Sequence, residues 1–234
     1  EEDAVQTSIA LLAGGQSRRM GRDKALLDFL GEPLLARMIR RVRPLTDDLF
    51  IVASDRPAYE RFGIPVVPDR FPGCGPLGGI DTALHAARHE FCLVLSCDLP
   101  FVNPRLLAAL LALPRDYDVL VPVRSIRTDQ GGDETFETLH AVYAKTCIPA
   151  IEQCLAEKRY KIVSFFPSVR VCRVEEAFVR RYDPDFLSFL NANTPEAYAL
   201  ALELAHRTGD RGDGAEPWAV ASYRFSPSEP GGQS

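Results

Sequence analysis

The 234-residue chain lacks any run near the ~20 uninterrupted apolar residues that a membrane-spanning helix needs. It also lacks an excess of positive charge. Its 27 Lys and Arg stand against 32 Asp and Glu, a formal charge of −5, which provides no broad field for nucleic acid or an anionic membrane. Any phosphate it holds must sit in a local pocket. The six cysteines contain no Cys-x-x-Cys pair, and Cys92, Cys147 and Cys154 lie in apolar runs, so buried free thiols are expected. There is no Gly-x-Ser-x-Gly elbow to mark a serine hydrolase, no adjacent Gly-Lys-Ser/Thr to complete a Walker A loop, and no internal repeat. The start, Glu1-Glu2-Asp3, is acidic where a secretory signal is basic and then apolar, so the expectation is a cytoplasmic protein. Without an initiator Met, the chain is silent about anything preceding residue 1.

What is present is the balance of an ordinary globular protein, 46% hydrophobic and 25% charged. The reading is a single domain over residues 1–206. The composition of residues 207–234, rich in Gly, Asp, Arg, Pro and Ser, reads as a disordered tail. Residues 8–13 form a short apolar run stopped by Gly14-Gly15, as expected of a strand buried on both faces. Leu34, Leu35, Met38, Ile39 and Val42 recur at helical spacing between Pro33 and Pro44. Strands follow at 49–53 and 64–67, then a Gly/Pro-rich stretch with a helix beginning near Gly79, then an apolar strand at 91–96 ending in Cys97-Asp98. Asn103-Pro104 opens a helix over 106–113, and 118–123 returns to a strand. The polar segment 124–134 reads as a mobile loop, 139–143 as a strand, 148–156 as a helix, and Thr194-Pro195 opens a last helix running to about 206. Such alternation predicts an α/β fold: one doubly wound, mostly parallel, Rossmann-like sheet with helices on both faces. Ligands of such sheets bind beyond the carboxyl ends of the strands.

The strongest chemical signal is the segment from Leu12 and Ala13 through Gly14, Gly15, Arg18, Arg19, Gly21 and Arg22 to Lys24. Glycines there let several backbone N–H groups converge on anionic oxygens, while Arg19 and Lys24 add charge-assisted bonds to a reacting phosphate. Gly73-Cys74-Gly75-Pro76-Leu77-Gly78 matches Gly-x-Gly-x-x-Gly, but Asp69 to Pro72 separate it from its strand. The reading is therefore a second glycine loop approaching a base or sugar rather than a dinucleotide fingerprint. Asp98, a carboxylate at a strand tip, is the best single candidate for Mg²⁺, which takes one or two carboxylates plus phosphate oxygens. Asn191 and Asn193 could supply neutral oxygen ligands or bonds to a second substrate, or cap the helix that follows. His85 and His89 have the four-residue spacing of a zinc pair, but Ala86 stands where a metalloprotease has its general base, so zinc is set aside. The remaining charges read as solvated helix faces.

Four motifs in order carry a resemblance: the Leu-Ala-Gly-Gly-x-Ser-x-Arg-Met-Gly-x-Asp-Lys loop, Pro68-Asp69 before Pro-Gly-x-Gly-Pro-Leu-x-Gly, Cys97-Asp98-x-Pro100-Phe101, and Asn191-x-Asn193-Thr194-Pro195. Through them the chain closely resembles the molybdenum cofactor guanylyltransferases over about residues 9–205. The resemblance implies transfer of GMP from GTP to molybdopterin bearing molybdenum, with pyrophosphate leaving and Mg²⁺ as cofactor. It implies that the backbone of Leu12, Ala13 and Gly14 contacts the nucleotide, Lys24 its phosphates and Asp69 the nucleoside part. Asp98 would hold the metal, Arg19 the transferring phosphates, and Asn191 and Asn193 the neighbourhood of metal and pterin. Molybdoenzyme apoproteins or cofactor chaperones are the implied protein partners. One position departs from the pattern: where family members can carry an Asn among the GTP contacts, this chain has Ala53, with Ser54 or Asp55 nearby. Three other readings stand beside this one. They are a cytidylyl or sugar-phosphate nucleotidyltransferase, a nucleotide-binding regulatory protein without turnover, and an NAD-dependent dehydrogenase.

Overall fold

The computed structural model describes residues 6–13, 24–54, 57–128 and 131–208, with backbone alone for Lys24, 126–128 and 131–133. β1 (Thr7–Leu12) is followed by a 3-10 turn at Lys24–Leu26 and a short hairpin of β2 (Asp28–Phe29) and β3 (Glu32–Pro33). Next come α1 (Leu34–Val42), β4 (Leu49–Val52), α2 (Pro57–Glu60), β5 (Val66–Val67), α3 (Gly75–Ala86), β6 (Phe91–Ser96) and α4 (Pro104–Leu111). The second half holds β7 (Val119–Thr128), β8 (Gly131–Phe136), β9 (His140–Ala144), α5 (Ile148–Ala156), β10 (Val171–Val174), α6 (Glu176–Val179) and α7 (Pro195–Thr208).

The main sheet runs β10-β7-β9-β6-β1-β4-β5. All neighbours are parallel except β9, which lies antiparallel between β6 and β7. The mostly parallel, doubly wound expectation is met, and period-two alternation along buried strands explains it. Ile9, Leu11, Leu49, Ile51, Leu93 and Leu95 face one core with Met38 and Ile39 of α1 and Leu106 and Leu110 of α4. Ala10, Phe50, Val52, Cys92 and Val94 face the other, with Ile80 and Leu84 of α3 and Ile151 and Leu155 of α5. β4 and the middles of β1 and β6 are apolar on both sides because helices cover both faces of the sheet there. All six cysteines are free, with Cys74 and Cys172 half-buried and the other four buried, and burial pushes the Cys147 thiol up to about 12.

Three expectations need correction. Of the segment expected to be a mobile loop, residues 124–128 and 131–134 are strand, because β7 runs on to Thr128 and pairs antiparallel with β8 from Val123↔Phe136 to Thr128↔Gly131. Its polar residues concealed a strand whose order comes from cross-strand pairing rather than from an apolar face. The helix α3 begins at Gly75, not near Gly79: Gly75 has φ of +69°, which turns the chain into the helix, and Pro76 supplies the fixed φ of a first turn. The last helix extends to Thr208, so residues 207 and 208 belong to it. Residues 209–234, the rest of the expected tail, lie outside the described residues. Thr194 caps that helix as expected, its Oγ accepting from Ala197 N–H at 3.1 Å. Among the described residues no helix is long and apolar enough to cross a membrane.

Candidate active site

The parallel ladder continues past the ends of the strands and sets the crevice. Leu12 pairs in register with Ser96 on one side and Val52 on the other. Beyond these pairs Cys97 N–H donates to the Leu12 carbonyl at 3.2 Å, Ala13 N–H to Val52 at 2.9 Å, and Ala53 N–H to Val67 at 3.0 Å. The tip of β6, with Cys97-Asp98, is thus bonded to the residues that lead into Gly14. At about 4.8 Å per strand the Asp69 side of the crevice, beyond β5, lies two strands from β1, roughly 10 Å away.

Asp98 is half-buried, and its Oδ1 accepts from Ser96 Oγ at 2.5 Å. Its main-chain carbonyl accepts from Ala192 N–H at 2.9 Å, and Ala192 is fully buried. One bond therefore fastens the Asn191–Asn193 segment, from the far end of the chain, against the acid predicted to hold metal. A small core of Phe29, Leu34, Phe101, Ala192, Ala201 and Ala205 seals the junction, with Phe29 and Phe101 edge to face at 6.0 Å. The hydroxyl of Tyr198 on α7 donates to the Asp28 carbonyl, tying the same helix to the β2–β3 hairpin.

Two arginines read in the sequence as solvated charges turn out to be buried, which is a further correction. Arg37 is fully buried and Arg41 nearly so. Arg37 Nε donates to the Pro100 carbonyl at 2.9 Å, and Arg41 Nη1 to Val102 at 3.1 Å and Pro100 at 3.3 Å. They hold the turn that follows Asp98. Periodicity offers a signal for both, since they occupy the same apolar face of α1 as Leu34, Met38 and Val42. A helical pattern, however, does not reveal the carbonyls lying opposite.

Asp69 is committed locally. Its Oδ1 accepts from Phe71 N–H at 3.0 Å, a two-residue Asx turn, and lies 3.2 Å from Thr82 Oγ on α3. Ala53 is buried in the ladder, Ser54 beside it is exposed, and Asp55 lies outside the described residues. Gly75 faces open space, so its positive φ rather than a tight contact requires glycine there. Gly79 is different: a Cβ at this position would sit 3.0 Å from Leu12 Cδ1, so glycine lets α3 press on the tip of β1. Gly14, Gly15 and Arg19 lie outside the described residues. Lys24 opens the 3-10 turn after them.

Next to Asp98 a cavity of about 160 Å³ is lined by Leu99, Glu137, His140, Phe189 and Asn191 among others. Neither ring nitrogen of His140 has a hydrogen-bond partner, the ring packs edge-on against Phe189 at 4.8 Å, and burial holds its pKa down to about 3. Glu137 is raised by burial and opposed by Arg124, whose Nε lies 2.5 Å from Glu137 Oε1. Neither His140 nor Glu137 carried a motif in the sequence.

Strand tips that lead into a glycine- and arginine-rich segment, with a carboxylate one strand away and a polar cavity behind it, are the arrangement expected of a nucleotidyltransferase built on a Rossmann-like sheet. Comparison with known proteins narrows the class. The pattern of the MobA-like NTP transferase domain matches residues 9–169, and the chain belongs to that family. It is 37% identical over 207 residues to a "Probable molybdenum cofactor guanylyltransferase" of Pelotomaculum thermopropionicum, covering 88% of this chain and 97% of the relative. It is 34% identical over 201 residues to the "Molybdenum cofactor guanylyltransferase" of Desulfosudis oleivorans, covering 85% and 95%. Among solved structures, the molybdopterin-guanine dinucleotide biosynthesis protein A of Archaeoglobus fulgidus superposes with a TM-score of 0.71 at 26% identity, over 86% of this chain and all of that one.

Proposed function

We propose that the enzyme transfers GMP from GTP to molybdenum-bearing molybdopterin, forming the guanine dinucleotide cofactor and releasing pyrophosphate. The observation that carries this reading is the pair of main-chain bonds at Asp98: Cys97 N–H to Leu12 on one side and Ala192 N–H to the Asp98 carbonyl on the other. Through them the tip of β1, the acid and the Asn191–Asn193 segment meet at one crevice mouth. The donor nucleotide would lie along the tips of β1, β4 and β5, with the backbone of Leu12 and Ala13, the Gly14-Gly15 segment, Gly75 and Asp69 along it. The acceptor would approach from the side of Asn191, Asn193 and the His140 cavity.

A divalent metal suits the donors present, since Asp98 and the side-chain amides of Asn191 and Asn193 are hard oxygen ligands of the kind Mg²⁺ takes. Bound there, Mg²⁺ would neutralise charge on the phosphates. The acceptor phosphate is already an anion, so no general base is required, and the protein's work is positioning and charge compensation. Lys24 and Arg19 are the cations assigned to the triphosphate. Ser96 holds the Asp98 carboxylate in one orientation, while Arg37 and Arg41 fix the backbone behind it. A neutral His140 can donate or accept one hydrogen bond to a polar acceptor group without bringing charge into the cavity.

The test is pyrophosphate release by the purified protein with Mg²⁺ and molybdenum-loaded molybdopterin, offered GTP, CTP, ATP or UTP. Release with GTP alone supports the reading. Release with CTP instead would move the protein to a cytidylyl enzyme, and GTP retained without turnover would make it a nucleotide-binding regulator.

A further inference from the structure

We propose that Asp81 and His85 on α3, together with Glu152 on α5, form a site for a late first-row divalent cation, with zinc as its best fit, and that this cation exchanges with the guanidinium of Arg70. The site adjoins the Asp69 side of the crevice, since the Arg70 N–H donates to the Thr82 Oγ that also contacts Asp69, but it uses other side chains and does not depend on the proposed reaction.

Asp81 and His85 stand four residues apart on one helix, which places both side chains on the same face. The neighbouring helix α5 brings Glu152 to them. His85 Nε2 lies 3.1 Å from Glu152 Oε1 and 3.7 Å from Asp81 Oδ1, and one ligand atom from each of the three residues falls within 4.8 Å of the others. Tetrahedral zinc with bonds of ~2.0–2.1 Å sets its ligand atoms about 3.3 Å apart. The two measured separations bracket that spacing. Half-exposed His85 and Glu152 are free to close the third edge, and they leave the site open to solvent for a water ligand.

The observation that asks for a cation is the state of Asp81. Its side chain is fully buried; Oδ2 is held by Arg70 Nη1 at 2.7 Å, but Oδ1 is buried with no hydrogen-bond partner. A buried carboxylate oxygen without a partner is costly, and this one is directed at the His85 ring. Arg70 covers the deficit in part, with Nη2 also 3.8 Å from Glu152 Oε1. One positive charge against two carboxylates leaves the cluster negative, whereas a divalent ion with neutral His85 balances it. Arg70 is 41% exposed and can swing into water when displaced. The choice of metal follows from the donors: an imidazole nitrogen favours zinc, nickel or copper over magnesium, which prefers an all-oxygen shell. His85 does not pair with His89 here: His89 pairs with Asp47 at 2.7 Å, and the partners of His85 are the carboxylates of Asp81 and Glu152.

The experiment is a Zn²⁺ titration of the tag-free protein by calorimetry in excess Mg²⁺, repeated with Co²⁺ to record its visible spectrum. We expect saturable binding of a single ion and ligand-field bands without a thiolate charge-transfer band. His85→Ala and Glu152→Gln should each weaken binding at least about tenfold, since even an outer-shell partner of a metal is worth that much. Arg70→Ala, which removes the competing cation, should tighten it, and His89→Ala should leave it unchanged. The proposal fails if no saturable binding occurs in excess Mg²⁺, if a thiolate band develops, if His85→Ala binds like the parent, if Arg70→Ala binds more weakly, or if His89→Ala abolishes binding. His85 is at the surface and His89 keeps an exposed edge, so these variants are expected to fold.

Discussion

Arg37→Met and Arg40→Met make a matched pair, because the two arginines sit three residues apart on α1 and both reach Glu32 Oε1, at 3.4 and 2.7 Å. They differ in burial: the Arg37 side chain is 0% exposed and Arg40 is 36% exposed. Methionine keeps most of the stem and removes the charged head. In Arg37→Met the Pro100 carbonyl loses a charge-assisted bond of 2.9 Å inside the protein. A buried hydrogen bond from a charged group contributes about 1.5–3 kcal/mol, whereas an exposed ion pair is worth up to about 1 kcal/mol. At about 2–4 °C per kcal/mol for a chain of this size, Arg37→Met should lower Tm by roughly 3 to 12 °C and Arg40→Met by no more than about 4 °C. Thermal and urea denaturation of the purified variants give both values. Pro100 lies two residues after Asp98, so transfer measured well below the lowered Tm should also lose kcat in Arg37→Met and not in Arg40→Met. Equal Tm shifts in the two variants, or a larger one in Arg40→Met, would refute the claim that burial makes Arg37 the structural member of the pair.

Asp98→Ala should abolish Mg²⁺-dependent pyrophosphate release while circular dichroism and Tm stay near the parent values, and undiminished turnover would remove Asp98 from the reaction. Gly79→Ala should be close to neutral, because its Cβ meets only the flexible end of Leu12 and alanine gains about 1 kcal/mol of helix propensity. Gly78→Ala should cost about 1–3 kcal/mol by chemical denaturation, because its Cβ would lie 2.9 Å from Phe71 Cβ and 3.0 Å from the Phe71 carbonyl. For His140, the unfolded chain takes up a proton near pH 6.5 while the folded ring stays neutral down to about 3, so stability should fall as pH drops through that window. His140→Leu should flatten the slope by up to one proton, about 1.4 kcal/mol per pH unit, and an unchanged slope would show that the ring is not buried as a neutral group.

The parts of the fold that were legible in the sequence are those whose signals are local. The run ending at Gly14 gives β1, the 3.6-residue spacing between Pro33 and Pro44 gives α1, and the helix over 148–156 is found with those limits. The β7–β8 hairpin escaped because its polar residues, Arg124, Ser125 and Glu134 among them, offer no apolar face to count. The Gly73–Gly78 stretch hid the start of α3 because a glycine motif looks the same whether it serves a ligand, a positive φ at Gly75 or the close packing of Gly78 against Phe71. Within the site, strand tips and Asp98 follow from the rule for parallel sheets. The approach of Ala192 to Asp98, the burial of Arg37 and the empty hydrogen-bonding capacity of His140 come from contacts between segments far apart in the chain, which no local pattern encodes.

The reversed strand β9 divides responsibility within the crevice. Every element from β1 to β6 that borders the proposed nucleotide side arises from one-way crossovers, whereas residues 136–140, which wall the cavity beside Asp98, belong to the excursion that carries the chain out along β7 and back through β8 and β9. That excursion can be lengthened, trimmed or resurfaced without shifting the register between β1 and β6. Under the proposed reading, acceptor choice can therefore drift at the rim while the grip on the donor stays constant. The same scaffold can then be retuned for a new partner molecule by editing a single stretch of chain.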